Sequence, residues 1–282
     1  MGTLDKAAAV YSKFKKYNNN ADISFNQITY DYLEEYESYL SNHLENGINT
    51  IHSNLKIFRM LFNKAVRQDI IELDQNPFLR FKLKTEKTNK EYLSEAELKS
   101  LESLVLNNDS SLYHHRNIFV FACYAGGIRI SDILQLKWNN FDGSNISITM
   151  QKTGDQVSVK LPNKALQILN IYRYENTEGD HYIFPFLSND YTYSKRKLFQ
   201  AISSRTASVN KDLKILANNA NIKKRVSFHT SRHTYATLAL SLGLQISQVS
   251  KLMGHANLKV TQQYAKLINK DLDKAMDAFN RL

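Results

Sequence analysis

The sequence predicts a mainly α protein with a small antiparallel sheet, divided into two domains. Three observations carry that expectation. Apolar residues recur at helical spacing through most of the chain, the period changes to two between Asn145 and Pro162, and a polar, lysine-rich stretch separates two apolar regions. The composition agrees, because 43% hydrophobic residues with only 9 Gly and 3 Pro in 282 positions suit a packed, helix-leaning chain and not a disordered one.

Residues 1–82 read as a helical bundle. Leu33, Tyr36, Leu40 and Leu44 form one stripe, and Ile51, Leu55, Phe58, Phe62 and Ala65 form a second, with Gly47 as the break between them. The polar run from Phe81 to Lys90 is the best linker in the chain, and the boundary is placed over residues 83–92. The second domain, 93–282, opens on a capping box. Ser94 stands three residues before Glu97, and Leu98, Leu101 and Leu104 follow. Phe119 to Tyr124 is an apolar helical run broken by Gly126-Gly127, and a short helix carrying Ile133, Leu134 and Leu136 ends near Trp138.

Ile146, Ile148 and Met150 then alternate with polar residues, as do Val157, Val159 and Leu161, with Thr153-Gly154-Asp155 between the two runs. That pattern is a β-hairpin. Helix returns after Asn163, apart from an irregular tract around Phe184 to Tyr193.

Charge and cysteine usage narrow the function classes. A single cysteine, Cys123, excludes an internal disulfide framework and fits a reducing compartment. The N-terminus lacks a signal-peptide core and no run approaches the ~18 apolar residues of a membrane span, so a cytoplasmic protein with no membrane partner is expected. The net charge of +10 favours a polyanionic partner. Its basic groups are Lys82, Lys84, Lys87 and Lys90; Lys195, Arg196 and Lys197; and Lys223, Lys224 and Arg225.

Several residues could carry chemistry. Arg129 stands at a helix entrance, where free N–H groups and the helix dipole favour an anion; alone, it reads equally as a surface arginine. Lys152, at the hairpin tip, shares the parity of Ile146, Ile148 and Met150, so it projects from the packed side; alone, it is also an ordinary turn lysine. The stretch FHTSRHTYAT sets His229 and His233 four apart, as in some zinc sites. However, Thr230 stands where a zinc protease needs glutamate, and no third ligand is identified, so neither metal nor cofactor is expected. His229 and Arg232, three apart, share a helical face suited to a phosphate oxygen; otherwise they are a capping histidine and a salt-bridging arginine. Downstream, GHAN places His255 at a helix end, and the polar run Thr261-Gln262-Gln263 is expected to keep Tyr264 on a less buried segment.

Taken in order, Arg129 in GGIRISDILQLKW, Lys152 at a hairpin, HTSRH, GH at 254–255 and Tyr264 resemble the tyrosine recombinases, or phage-type integrases. Leu93-Ser94 with Glu97 resembles the usual opening of their catalytic domain. The likeness covers nearly all of the second domain and is far less specific in the first. Gly126-Gly127-Ile128 replaces a more usual Thr-Gly-Leu type of sequence, and Met253 stands where leucine is common. Many integrases of mobile elements carry a further arm-type DNA-binding domain, which is not expected in this chain. It reads as a short recombinase or as one beginning at Gly2 behind an added methionine.

The resemblance implies a helical core-binding domain joined to an α/β catalytic domain. It implies that Tyr264 attacks a DNA phosphodiester to give a 3′-phosphotyrosyl bond, with His229 as general base or proton-steering group. Arg129 and Arg232 would neutralise charge on the non-bridging oxygens, Lys152 would protonate the departing 5′-oxygen, and His255 would hydrogen-bond the phosphate. His233 is left a supporting role. The implied partners are double-stranded DNA attachment sites, a homotetramer with a Holliday junction, and accessory DNA-bending proteins. Ile268, Leu272, Met276 and Phe279 form a last stripe, which either docks on a neighbouring protomer or packs on its own domain. A type IB topoisomerase shares the same residue set, and a non-catalytic helical DNA-binding protein explains the charge but not the ordered motifs.

Overall fold

The computed structural model describes residues 2–88, 90–151, 154–174, 178–189, 192–255 and 257–265. Lys152 and the stripe at Ile268, Leu272, Met276 and Phe279 lie outside them. The chain forms two compact units, residues 1–89 and 90–282.

The first unit contains α1 (Gly2–Tyr17), α2 (Tyr30–Asn42) and α3 (Ile48–Arg67). Thr29 caps α2 by accepting from the Tyr32 N–H at 3.2 Å, and Gly47 stands at the N-cap of α3. Leu33, Tyr36, Leu40, Leu55, Phe58 and Phe62 meet in one core with Val10 and Phe14 of α1. Its centre is aromatic: Phe14 packs edge-on to Tyr36 and lies 4.7 Å from Phe58. Leu44 departs from the expected stripe and is exposed, because α2 ends at Asn42 and the chain turns away.

The second unit is built around α5 (Ser111–Tyr124). Ile118, Phe119, Phe121 and Ala122 are all 0% exposed, so the second half of this helix is apolar on every side, the mark of a central element. Around it lie α4 (Glu95–Glu102), α7 (Asn163–Ile171), α8 (Lys195–Asn219) and α9 (Phe228–Ser241). α6 (Ile130–Ile133) and α10 (Ile246–Leu252) are short, and residues 258–265 are helical. α4 starts on the expected capping box: the Ser94 N–H donates to Glu97 Oε2 at 2.7 Å, and Ser94 Oγ accepts from the Glu97 N–H at 3.2 Å. Leu104 lies past the end of α4 and is only partly buried.

β1 (Asn145–Thr149) and β2 (Gln156–Lys160) form the antiparallel hairpin, with Ile146 opposite Val159 and Ile148 opposite Val157. These four side chains are the buried face and the alternate residues are exposed, as a period of two requires. Met150 continues the buried parity at 1% exposure and closes the pairing through its N–H to the Asp155 carbonyl at 2.9 Å.

Candidate active site

Two glycine turns and one helix assemble the site. After α5, Gly126 and Gly127 take φ of +74° and +62°, a left-handed path that costs an L side chain about 1–2 kcal/mol. The Gly127 N–H reaches back to the Ala122 carbonyl at 3.0 Å, closing the helix end and delivering Arg129 to the N-cap of α6. The second turn ends α10. Gly254, at φ +58°, donates to the Lys251 carbonyl at 3.0 Å, and the His255 N–H donates to Ser250 at 3.0 Å. This paired closure is the Schellman arrangement, and it fixes the direction in which His255 leaves the helix.

α9 lies between the turns. Arg232 is 3% exposed, and its Nη1 donates to the Gly127 carbonyl at 2.6 Å while its Nη2 donates to the Met253 carbonyl at 2.5 Å. One planar guanidinium therefore ties the turn after α5 to the turn after α10. Burial, with Arg129 nearby, pulls its pKa down to about 10. Arg129, partly buried, contacts Met150 Sδ through Nη1 at 2.8 Å. Met150 in turn fills the space beside Gly254, where any Cβ would strike its sulfur.

His255 is half-buried and its Nδ1 lies 2.8 Å from Thr261 Oγ1. Burial, with the cations Arg232, Arg129 and Lys90 around it, lowers its pKa to about 4.

Tyr264 overturns the expectation of a less buried segment, since it is 2% exposed. The polar Gln262 and Gln263 face outward, whereas Tyr264 points inward with Thr261, which is 0% exposed, onto α9 and Met253. Its Oη lies 2.8 Å from His233 Nδ1, and the Lys90 ammonium sits 5.2 Å from its ring centroid. Lys90 also donates to Gln263 Oε1. Burial raises the Tyr264 pKa, and Arg232 opposes that rise. His233 is itself 7% exposed, and its ring meets His229 edge-to-face at 4.5 Å. Burial comes first and His229, Lys90, Arg232 and His255 follow in lowering its pKa to about 3.

Arg129, His229, Arg232, His255 and Tyr264 are thus within electrostatic reach of a common centre, with Lys90 and His233 among them. Sequence reasoning missed Asp132, three residues after Arg129 and 4% exposed. Its Oδ1 accepts from the Gln151 N–H at 3.3 Å, and its Oδ2 has no hydrogen-bond partner among the described residues. Burial raises its pKa, while Arg129 and Arg232 pull the other way. The spacing to Arg129, one helical turn, was the available signal.

The basic groups are divided. Lys84 pairs with Glu37 at 2.7 Å; Lys224 pairs with Glu97 at 2.6 Å and donates to the Tyr92 carbonyl at 2.9 Å. Lys82, Lys87, Lys195, Arg196, Lys197, Lys223 and Arg225 are exposed. Among the described residues the group of three possible metal ligands within mutual reach is Glu178, Asp180 and His181, away from the two histidines of α9. No helix among the described residues is long and apolar enough to cross a membrane.

The profile of the phage integrase family matches residues 91–270, and that of the phage integrase SAM-like domain matches residues 1–85. Tyrosine recombinase XerA of Pyrococcus furiosus is 29% identical over 201 residues, 71% of this chain and 65% of its own length. Tyrosine recombinase XerC of Pelotomaculum thermopropionicum is 28% identical over 249 residues, 85% of this chain and 78% of that one. Among solved structures, the XerH site-specific recombinase bound to palindromic difH substrate superimposes with a TM-score of 0.69 at 18% identity, covering 99% of this chain and 80% of that one. A lambda integrase dimer bound to a COC′ core site gives a TM-score of 0.66 at 16% identity, covering 91% and 87%.

Proposed function

The chain belongs to the phage integrase family, and from that premise we propose that it is a site-specific DNA recombinase that cuts and rejoins duplex DNA through Tyr264. The observation that carries the reading is that the buried Arg232 lies within electrostatic reach of Arg129, His255 and Tyr264 alike. The Tyr264 oxygen attacks phosphorus, forms a 3′-phosphotyrosyl bond and releases a 5′-hydroxyl. The phosphate bond energy is conserved in the link, so the 5′-hydroxyl of a second strand reverses the step without ATP.

Two guanidiniums supply what phosphoryl transfer needs most, fixed positive charge at the non-bridging oxygens. Arg232 retains three N–H groups beyond the two held by backbone carbonyls, enough for a forked phosphate contact. His255 and the more exposed His229 add hydrogen bonds to the phosphate, and Lys152 is assigned the proton for the departing 5′-oxygen. Attack requires the cover over Tyr264 to open. Lys90 is part of that cover and can exchange Gln263 for a DNA phosphate.

Residues 1–82 serve as the core-binding domain, 83–92 as linker and 93–282 as the catalytic domain. The exposed groups at Lys82, Lys87, Lys195, Arg196, Lys197, Lys223 and Arg225 contact the DNA backbone, with affinity falling steeply in salt. Lys84 and Lys224 do so only by giving up their carboxylate partners. Recombination proceeds on attachment sites within a homotetramer, through a Holliday junction, with accessory bending proteins where the site requires them.

The test is a nicked suicide duplex carrying the host element's own attachment site. A covalent protein–DNA adduct is expected, and Tyr264→Phe abolishes it; adduct persisting in that variant defeats the assignment. Relaxation of supercoils by a monomer, without sequence-specific cleavage, would favour the topoisomerase reading.

A further inference from the structure

The ordered motifs leave one close contact without a role. His233 directly follows Arg232 on α9, and its Nδ1 is the group at hydrogen-bond distance from the Tyr264 hydroxyl, at 2.8 Å. His229, to which the family likeness gives the proton, is instead packed against the face or edge of the His233 ring, 4.5 Å between centroids at 84°. We propose that His233 is the residue that positions the Tyr264 hydroxyl and accepts its proton during strand cleavage. This rests on Tyr264 being the nucleophile.

Three features of the site carry the proposal. The first is reach: a general base must lie about 2.6–3.2 Å from the atom whose proton it takes, and His233 Nδ1 lies 2.8 Å from a Tyr264 hydroxyl whose residue is only 2% exposed. The second is rigidity. His233 sits mid-helix, and its ring is braced by contacts with both His229 and Tyr264. The third is charge. His233 is neutral, because burial and the groups facing it disfavour the imidazolium. Those groups are His229 and Arg232 from α9, Lys90 from the segment before α4, and His255 from the turn after α10. A neutral ring can accept through Nδ1 with its proton on Nε2.

The same charges set the timing. At rest His233 is a poor base and Tyr264, with its raised pKa, a poor acid, so the hydroxyl stays protonated. An arriving phosphodiester brings a negative charge against Arg129 and Arg232. It thereby weakens the repulsion that keeps the imidazolium from forming. As Tyr264 Oη bonds to phosphorus, its proton passes to His233 Nδ1. The phosphorus–O5′ bond breaks, and the 5′-oxygen takes a proton from the general acid. The site thus ends one proton richer at His233 and one poorer at the acid, and religation reverses both. Lys90 lies over the ring face and not between the two polar atoms, so its withdrawal leaves the Oη to Nδ1 contact in place.

The experiment uses the full chain on the nicked suicide duplex under single-turnover conditions. The wild type and His233→Gln are each prepared with tyrosine or 3,5-difluorotyrosine at position 264. Gln retains a hydrogen-bonding group but cannot take a proton. Cleavage in His233→Gln is expected to fall about 10²-fold with DNA affinity unchanged, the size of a lost general base. The fluorinated phenol, which sheds its proton more readily, should recover about tenfold of that loss in His233→Gln and alter the wild type little.

Cleavage by His233→Gln at or above the wild-type rate makes the contact a mere resting place for Tyr264 and overturns the proposal. Equal effects of fluorination in both backgrounds overturn it as well. If His233→Gln melts early, His233→Asn and a ¹⁹F titration of 3-fluorotyrosine at position 264 without DNA replace it, and an unchanged phenol titration refutes the contact. A wild type that forms no adduct refutes the recombinase reading instead, and the ¹⁹F titration still decides the His233 contact.

Discussion

Gly127→Ala tests whether the left-handed turn after α5 exists to bring backbone against Arg232. At φ +62° any L residue costs about 1–2 kcal/mol, and the lower entropy of the unfolded alanine chain returns about 0.4–1 of it. Gly243 supplies the control. It lies past α9 at φ +91°, and a Cβ there meets nothing within 4 Å, so Gly243→Ala carries the backbone cost alone. At Gly127 the added Cβ comes to 3.2 Å from Arg232 Cα and 3.3 Å from both Arg232 Cγ and Tyr235 Cβ. None of these is a free side-chain end, so α9 must move away, at an overpacking cost of about 1–3 kcal/mol.

Thermal denaturation should therefore place Gly127→Ala about 2 kcal/mol below Gly243→Ala, or roughly 4–8 °C in melting temperature for a unit of this size. Cleavage of the suicide duplex should fall about 10²-fold in Gly127→Ala, because an Arg232 displaced by a fraction of an ångström loses its aim. Gly243→Ala should stay within a few-fold of wild type. Equal losses of stability in the two variants would refute the packing argument, and full cleavage by Gly127→Ala would remove Arg232 from the chemistry.

Acid should loosen the second unit. His233 and His255 have folded pKa values of about 3 and about 4, below the ordinary histidine value, so the unfolded chain binds more protons between roughly pH 4 and 6.5. Their contribution is complete above that window and lost as pH falls through it, at up to about 1.4 kcal/mol per pH unit for each proton taken up. Urea titrations in His233→Gln should show a shallower dependence over that range; an unchanged slope would contradict it. Lys90→Ala should speed acetylation of Tyr264 by N-acetylimidazole several-fold, mapped by mass spectrometry, and protection unchanged would show that Lys90 is no part of the cover. Lys224→Ala should lower the melting temperature more than Lys223→Ala, because Lys224 joins Glu97 of the α4 capping box and the Tyr92 carbonyl. Both variants melting alike would reduce that pair to an ordinary surface contact worth about 0–1 kcal/mol.

What could be read from the sequence is what local spacing controls. The α4 capping box, the two bundle stripes and the hairpin with its buried parity all rest on neighbours within a few residues, and the fold contains them. Leu44 and Leu104 fell outside their helices because periodicity does not say where a helix stops. The burial of Tyr264 was misread for a different reason. Its partner His233 lies 31 residues away, and Lys90 more than 170, so no local pattern reports that the polar run turns only two of its side chains to solvent. His233 was visible as a residue but not as a contact, and the spacing of Asp132 from Arg129 marks a shared helical face but not the burial of the carboxylate.

In the proposed reaction the guanidinium of Arg232 is both a brace and a ligand group, and that double duty has a mechanical consequence. Its two carbonyl bonds join the turn that presents Arg129 to the turn that presents His255. A phosphate pulling on the remaining N–H groups therefore tugs on both turns at once. Grip on the substrate and stiffness of the frame become one variable, so tighter DNA should register as a harder-to-melt catalytic unit. Lysine, with a single rotating ammonium in place of a flat fork, can hold the frame or the phosphate but not both. Charge is thus only half of what this position demands. The other half is shape.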